Sequence, residues 1–168
     1  NEKSVELLLP KSDVNATNNY EETALIKAAE SGNEKSVELL LPNSAVKATD
    51  NYGNTALMGA AGSGNEKSVE LLLPNSEVKA TQKYGFTALM GAAMSKNEKC
   101  VELLLPNSDV EATNKDGYTA LMYAARSGNE KSVELLLPNS DVKASNKDGD
   151  TALLLAAEGG NEDPAAQL

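Results

Sequence analysis

The sequence predicts an all-α solenoid, a stack of short helix–turn–helix repeats joined by turn-rich fingers. Two repeated strings carry the prediction. A decapeptide, NEKSVELLLP or its variant NEKCVELLLP, recurs every 32 residues, from Asn1, Asn33, Asn65, Asn97 and Asn129. The tripeptide Thr-Ala-Leu recurs with the same period, from Thr23, Thr55, Thr87, Thr119 and Thr151. A stack of equal modules needs such regular spacing and a single globule does not, so we predict one repeat array.

Each period begins with a short first helix that starts at the repeated threonine. In the fourth copy, Thr119 is a typical helix N-cap and is followed by the strong helix formers ALMYAA. Ser127 and Gly128 come next, and glycine accepts the left-handed backbone conformation that ends many helices. We therefore predict a first helix between the threonine and this glycine.

A second helix follows directly, with Asn129 as its expected N-cap. Val133, Leu136 and Leu137 are spaced three and four residues apart, which places them on one apolar face. Pro138 lacks the N–H that a helix interior needs, so we expect the second helix to end there.

The remainder of the period is predicted to be a projecting finger, because residues 141–149 have no helical periodicity and end in an Asp-Gly turn signal. Helices shorter than about 12–15 residues are marginal alone in water, so each helix pair must bury its apolar face against its neighbours. We predict a single array over 1–168, made of a half-module 1–18, modules of about 19–50, 51–82, 83–114 and 115–146, and a terminal half-module 147–168.

The repeat unit resembles a known family. The stretch DGYTALMYAARSGNEKSVELLLPNSDVKA is similar to an ankyrin repeat, a β-turn plus two helices with the signature T-P-L-H-x-A. Alanine replaces the family's proline at Ala24, Ala56, Ala88, Ala120 and Ala152. Isoleucine, methionine or leucine replaces its histidine at Ile26, Met58, Met90, Met122 and Leu154. The resemblance implies an ankyrin-type solenoid that holds a protein partner in its concave groove and at its finger tips.

Composition excludes several classes of function. The chain has no histidine and one cysteine, which removes Ser-His catalysis and the usual zinc sites. Its net charge of −10 argues against nucleic acid or an anionic membrane as a partner. Carboxylate pairs such as Glu21-Glu22 lack the ligand density of a calcium loop. We expect no enzyme activity, no cofactor and no metal.

A few columns of the repeat vary while the others barely change. They lie just before the threonine, within the first helix, at the end of that helix and at the finger tip, and in the ankyrin resemblance they face the partner. Aromatic residues, methionine and arginine suit an adaptable interface. The net charge is also near zero here, since residues 65–96 hold four lysines and three glutamates. The predicted partner-binding residues are Tyr84, Phe86, Met94, Tyr118, Tyr123 and Arg126.

Some of these columns also allow a structural interpretation. The tyrosine column of Tyr20, Tyr52 and Tyr84 would alternatively pack finger on finger. Gly59 and Gly91 interrupt first helices on the groove side, which suggests room for close approach of a partner. Cys100 occupies a column that is otherwise serine, so we interpret it as a serine substitute and not as a nucleophile.

The sequence therefore predicts a non-catalytic, intracellular and cytoplasmic module that binds another protein. The alternatives are a structural spacer array, or a fragment of a larger repeat-bearing protein without a groove partner of its own. We expect a monomer, with end-to-end stacking of copies as the alternative, because the opening helix keeps the internal apolar face.

Overall fold

In the computed structural model, residues 2–158 are described, and they confirm an all-α stack of helix pairs. The first helices are α2 (Ala24–Glu30), α4 (Ala56–Gly62), α6 (Ala88–Met94), α8 (Ala120–Ser127) and α10 (Ala152–Glu158). The second helices are α1 (Glu2–Leu8), α3 (Glu34–Leu40), α5 (Glu66–Leu72), α7 (Glu98–Leu104) and α9 (Glu130–Leu136). The tail of the predicted terminal half-module lies outside the described residues, and the module boundaries stay a prediction.

The first helices begin and end as predicted. The side chain of Thr119 accepts a hydrogen bond from the backbone N–H of Met122 at 3.3 Å, and Gly128 ends α8 in the left-handed conformation. The equivalent threonines cap α2, α4 and α6 in the same way. The residue at the family's histidine position is apolar and buried in these helices, at Ile26, Met58, Met90 and Met122. These side chains fill the core in place of a polar contact.

The second helices α3, α5 and α7 bury their valine and their middle leucine, and α9 buries its middle leucine. Asn129 caps α9 by accepting a hydrogen bond from the backbone N–H of Ser132 at 3.1 Å, as predicted. In α7, the side chains of Val101 and Leu104 are both fully buried. These apolar faces and those of the first helices join in one hydrophobic core that runs through the stack.

The prediction that proline ends the second helix was wrong in detail. Each second helix continues through its proline as one short 3₁₀ turn, at Leu9–Lys11, Leu41–Asn43, Leu73–Asn75, Leu105–Asn107 and Leu137–Asn139. Proline fits the first turn of such a segment, because no helical partner is needed there for the missing N–H. The predicted burial of Leu137 was also wrong, since 43% of this residue is exposed. Its equivalents in the preceding modules are half-buried, and no further second helix covers it within the described residues.

In the fingers of Asn18, Asp50, Asn114 and Asn146, the side chain of this residue accepts two backbone hydrogen bonds. In the finger 113–119, Oδ1 of Asn114 accepts from the N–H groups of Asp116 at 3.0 Å and Tyr118 at 2.9 Å. Consecutive fingers are also joined by their backbones, as the N–H of Lys115 donates to the carbonyl of Tyr84 at 2.7 Å. This bond recurs at each described finger pair and sets the fingers side by side.

Close packing between first helices explains the two helical glycines. A Cβ atom on Gly59 would lie 2.8 Å from Cγ of Glu30, and one on Gly91 would lie 3.2 Å from the backbone N of Gly62. The space that the sequence suggested for a partner is therefore occupied by the preceding first helix. First helices contact each other more extensively than second helices do, so the first-helix side is the more closely packed side of the stack.

One turn carries a residue that strains the backbone. Lys96 has a φ of 61° at the position where the other modules have Gly32, Gly64 and Gly128. A left-handed conformation costs a non-glycine residue about 1–2 kcal/mol. Glycine avoids this cost but lowers stability by about 0.4–1 kcal/mol, because it increases the conformational entropy of the unfolded chain. We expect Lys96→Gly to raise the free energy of unfolding by up to about 1 kcal/mol in urea denaturation.

The same substitution inside a helix is the matched control for this test. Lys99→Gly, in α7, is expected to lower the free energy of unfolding by about 1 kcal/mol. If both variants were destabilised, Lys96 would not be strained in the way its φ angle indicates.

Candidate protein-binding surface

Three of the predicted residues form one aromatic cluster, which consists of Phe86, Tyr118 and Tyr123. Phe86 and Tyr118 immediately precede the capping threonines of α6 and α8, and Tyr123 lies within α8. The ring centroids of Phe86 and Tyr123 are 5.5 Å apart in an edge-to-face arrangement, with an interplanar angle of 71°. Those of Tyr118 and Tyr123 are 5.2 Å apart. Both geometries are in the range where aromatic pairs attract beyond simple burial.

The aromatic cluster is fixed in place by its surroundings. Asn114 donates from Nδ2 to the hydroxyl of Tyr123 at 2.9 Å, which ties the finger to α8. Burial raises the pKa of Tyr123 to about 12, and the neighbouring Tyr118 and Asp116 add to this. The hydroxyl is therefore neutral at physiological pH and acts only as a hydrogen-bonding group.

Tyr84 differs from the aromatic cluster in its exposure. About half of the residue, 49%, is accessible, and Nζ of Lys115 lies 5.4 Å from its ring centroid. Tyr20 and Tyr52 are exposed in the same column. The backbone bonds between fingers are accepted by the carbonyl groups of these tyrosines, and the Tyr84 ring also contacts Lys115 of the next finger. All three tyrosines remain largely exposed.

Met94 and Arg126 are half-buried at the ends of α6 and α8. Gly91, in the same helix as Met94, packs against the backbone of Gly62 in the preceding first helix. The charge of Arg126 acts on the Tyr123 hydroxyl and partly opposes the rise in its pKa. Arg126 is therefore close to the aromatic cluster, Met94 lies at the end of the neighbouring α6, and Tyr84 lies in the same finger as Phe86.

An acidic group was missed by the sequence analysis. Carboxylate oxygens of Glu22, Glu30 and Asp50 lie within 4.8 Å of one another, because stacking brings the finger of Asp50 beside the preceding module. Nζ of Lys27 lies 3.2 Å from both glutamates and supplies the opposing positive charge. Asp50 also accepts backbone hydrogen bonds within its own finger, so its role there is structural. The sequence contained one signal for this group. Asn54, which donates a hydrogen bond to Asp50, occupies the same repeat position as Glu22.

Cys100 lies in a buried column and is no accessible nucleophile. Burial raises the pKa of its thiol to about 11, with a further contribution from Glu66. Three serine hydroxyls of the same column, those of Ser36, Ser68 and Ser132, are buried and have no hydrogen-bond partner among the described residues. A weakly polar thiol suits this environment better than a hydroxyl does.

The buried column yields a stability prediction. Leaving a buried hydroxyl unsatisfied costs about 1–3 kcal/mol. We expect Cys100→Ser to lower the free energy of unfolding by about 1 kcal/mol and Ser68→Ala to raise it by a similar amount, both measured by urea denaturation. A stabilised Cys100→Ser variant would contradict the unpartnered state of the hydroxyls in this column.

The helices are also too short for a membrane: within 2–158, none is long and apolar enough to cross one. Comparison with the curated proteins gives no match. The sequence model of a family described as "Ankyrin repeats (3 copies)" matches residues 1–83 and 68–146. These matches run without a gap through the helix pairs α2–α3 to α8–α9. With most of its length matched, and with every matched period folded as a finger and two helices, the chain belongs to the ankyrin repeat family.

Proposed function

We propose that this chain is a non-catalytic module that binds another protein through the first-helix side and the finger tips of its central modules. Ankyrin repeats are in general protein-interaction modules and are typically non-catalytic. The proposed contact residues are Tyr84, Phe86, Met94, Tyr118, Tyr123 and Arg126. The observation that carries the proposal is the aromatic cluster, which adjoins an exposed tyrosine and an arginine on one face.

The opposite face of the stack supports this assignment by contrast. Its second helices repeat the same exposed lysine–glutamate pair in successive modules, such as Lys35 with Glu38 at 2.7 Å and Lys131 with Glu134 at 2.9 Å. Pairs of this kind contribute little energy and are well solvated. Variation in residue type is concentrated on the first-helix face, where it would tune recognition of a partner.

The chemistry of the surface favours a partner with an apolar centre and basic flanks. Tyrosine and arginine dominate the binding energy of many protein interfaces, especially when they are surrounded by contacts that exclude water. The net charge of −10 resides mainly toward the two ends of the chain, while residues 65–96 are nearly neutral. Basic segments on either side of an apolar contact would therefore be steered toward the surface.

The test first isolates a partner on the immobilised chain. The affinity of that partner is then measured for the unmodified chain and for its variants. Phe86 and Tyr123 pack against the hydrophobic core, so their removal would also affect folding. The better variant is Tyr84→Ala with Tyr118→Ala. We expect it to weaken binding by an order of magnitude or more, since hot-spot side chains contribute about 2 kcal/mol or more.

The matched control removes charges from the opposite face. Lys35→Ala with Lys131→Ala should leave the affinity within about twofold, because both lysines lie in exposed surface pairs. Circular dichroism of each variant establishes that the helices are retained. If the lysine pair mattered and the tyrosine pair did not, the proposed surface would be wrong, and a chain that captures no specific partner would favour the spacer array.

A further inference from the structure

Each finger exposes the residue at the same position of its tip. In chain order this row, the tip column, consists of Tyr20, Tyr52, Tyr84, Asp116 and Asp148, and all five are exposed. Tyr52, Tyr84 and Asp116 each have a described finger on both sides, so their exposure does not depend on the ends of the stack. The interior of the tip column therefore presents two aromatic rings followed by a carboxylate.

The backbone keeps the tip column at a regular spacing. The carbonyls of Tyr20, Tyr52, Tyr84 and Asp116 each accept a hydrogen bond from the residue just before the next member, at 2.7–2.9 Å. Each finger leads into a first helix, and the first helices pack on one another along the stack. Because packed helices lie about 8–10 Å apart, successive members of the tip column repeat at about that interval.

This interval matches one turn of a polyproline II helix. That conformation advances about 3.1 Å per residue with three residues per turn, so the same side recurs about every 9 Å. In a β-strand the same side recurs about every 6.7 Å, and one turn of an α-helix rises about 5.4 Å. Of these three conformations, polyproline II alone presents one residue per turn to each finger.

We propose that the tip column binds a proline-rich segment of a partner protein, with prolines on the tyrosines and a basic residue at Asp116. The proposal names the class of partner for the protein-binding function above and rests on it, since Tyr84 belongs to both surfaces. Proline-rich segments dock on aromatic side chains and lose little conformational entropy when they bind. The recognised pattern is a proline at every third position, with lysine or arginine three residues beyond the last one.

The charges at the tip column favour the basic residue. Asp116 and Asp148 are exposed acidic residues that directly follow the tyrosines in the column. A cation already lies at this point, since Nζ of Lys115 is 5.4 Å from the ring centroid of Tyr84. Lys115 is itself exposed, so its long side chain can move aside and a lysine or arginine of the partner can replace it at the ring. The partner's basic residue would then lie beside both an aromatic face and a carboxylate.

The test uses fluorescent peptides of three Pro-Pro-Ala triplets with one Arg-Pro-Ala triplet at either end, because the direction of binding is free. Fluorescence anisotropy against the whole chain should show saturable binding of at least one of them. Tyr52→Ala should weaken it about tenfold, since aromatic anchors dominate such interfaces. Tyr52 is not among the contact residues proposed above, so this loss reports on the tip column alone.

A change of register tests the role of Asp116. Moving the arginine by one residue, to give Pro-Arg-Ala, keeps the composition but turns the charge by about a third of a turn. The affinities of the two registers should differ by at least about threefold, and Asp116→Asn should abolish the difference. Glu134→Gln removes the same charge from the second-helix face and should leave both affinities unchanged.

Other outcomes overturn the proposal. These are no saturable binding of either peptide at millimolar concentration, an unchanged affinity of Tyr52→Ala, and equal affinities of the two registers. If a partner isolated on the chain is not displaced by the peptides, the protein-binding function stands and the assignment to a proline-rich segment fails. Circular dichroism checks that each variant keeps its helices.

Discussion

Replacing Leu104 by alanine is expected to lower the free energy of unfolding by about 2–5 kcal/mol. The side chain of Leu104 is fully buried in α7, which packs between α5 and α9 as well as against α6. Truncation removes apolar contacts and leaves a cavity that the surrounding helices fill only in part. Urea denaturation followed by circular dichroism measures the loss.

The repeat supplies a matched control for this prediction. Leu8→Ala changes the equivalent residue in a helix that differs from α7 only by Ser4 in place of Cys100, but Leu8 is largely exposed. We expect its effect to be within about 0.5 kcal/mol, because surface substitutions rarely exceed that value. Equal losses for both leucines would mean that burial in the stack does not determine stability.

A second large loss is expected for Gly85→Ala, in the finger 81–87. Gly85 has a φ of 80°, and a Cβ atom there would lie 3.0 Å from Cα of Asn114 and 3.1 Å from the carbonyl oxygen of Thr113. Both neighbours are backbone atoms of the next finger, which must move. The displaced finger would weaken the hydrogen bond between Lys115 and Tyr84, so we expect a loss of about 2–3 kcal/mol in urea denaturation.

Gly149→Ala separates the two causes of this loss. Gly149 has a similar φ of 89°, but a Cβ atom there would meet no described atom within 4 Å, so only the conformational cost of about 1–2 kcal/mol is expected. Glu21 shows that a residue with a side chain can occupy this position, since it lies there with a left-handed φ of 62°. If Gly85→Ala cost no more than Gly149→Ala, the fingers would adjust without losing their contact.

Local interactions were predictable because they lie within a few residues of each other. Thr119 and Asn129 cap their helices through bonds to residues three positions ahead, and Gly128 ends α8 one residue after its last turn. The period of 32 residues then required that each helix pair be followed by another. The family and the all-α stack could therefore be inferred from the sequence.

The candidate surface was only partly predictable. The column comparison identified Phe86, Tyr118 and Tyr123, but not that their rings touch or that two of them support the core. Phe86 and Tyr123 are more than a full repeat apart in the sequence. Their contact depends on how closely α6 and α8 approach, which no local pattern specifies.

By itself the sequence determined the period, the caps and the sides of each helix, since these depend on bonds between near neighbours. Only the tertiary structure decided which side chains on each helix are buried and which neighbouring helix they contact. Gly91 allows α4 to pack closely against α6. Leu8 and Leu136 occupy the same position of the repeat, but Leu8 is exposed and Leu136 is buried. The physical reason is that packing between modules joins residues about 32 positions apart, and identical local sequences acquire different environments according to the neighbours they receive.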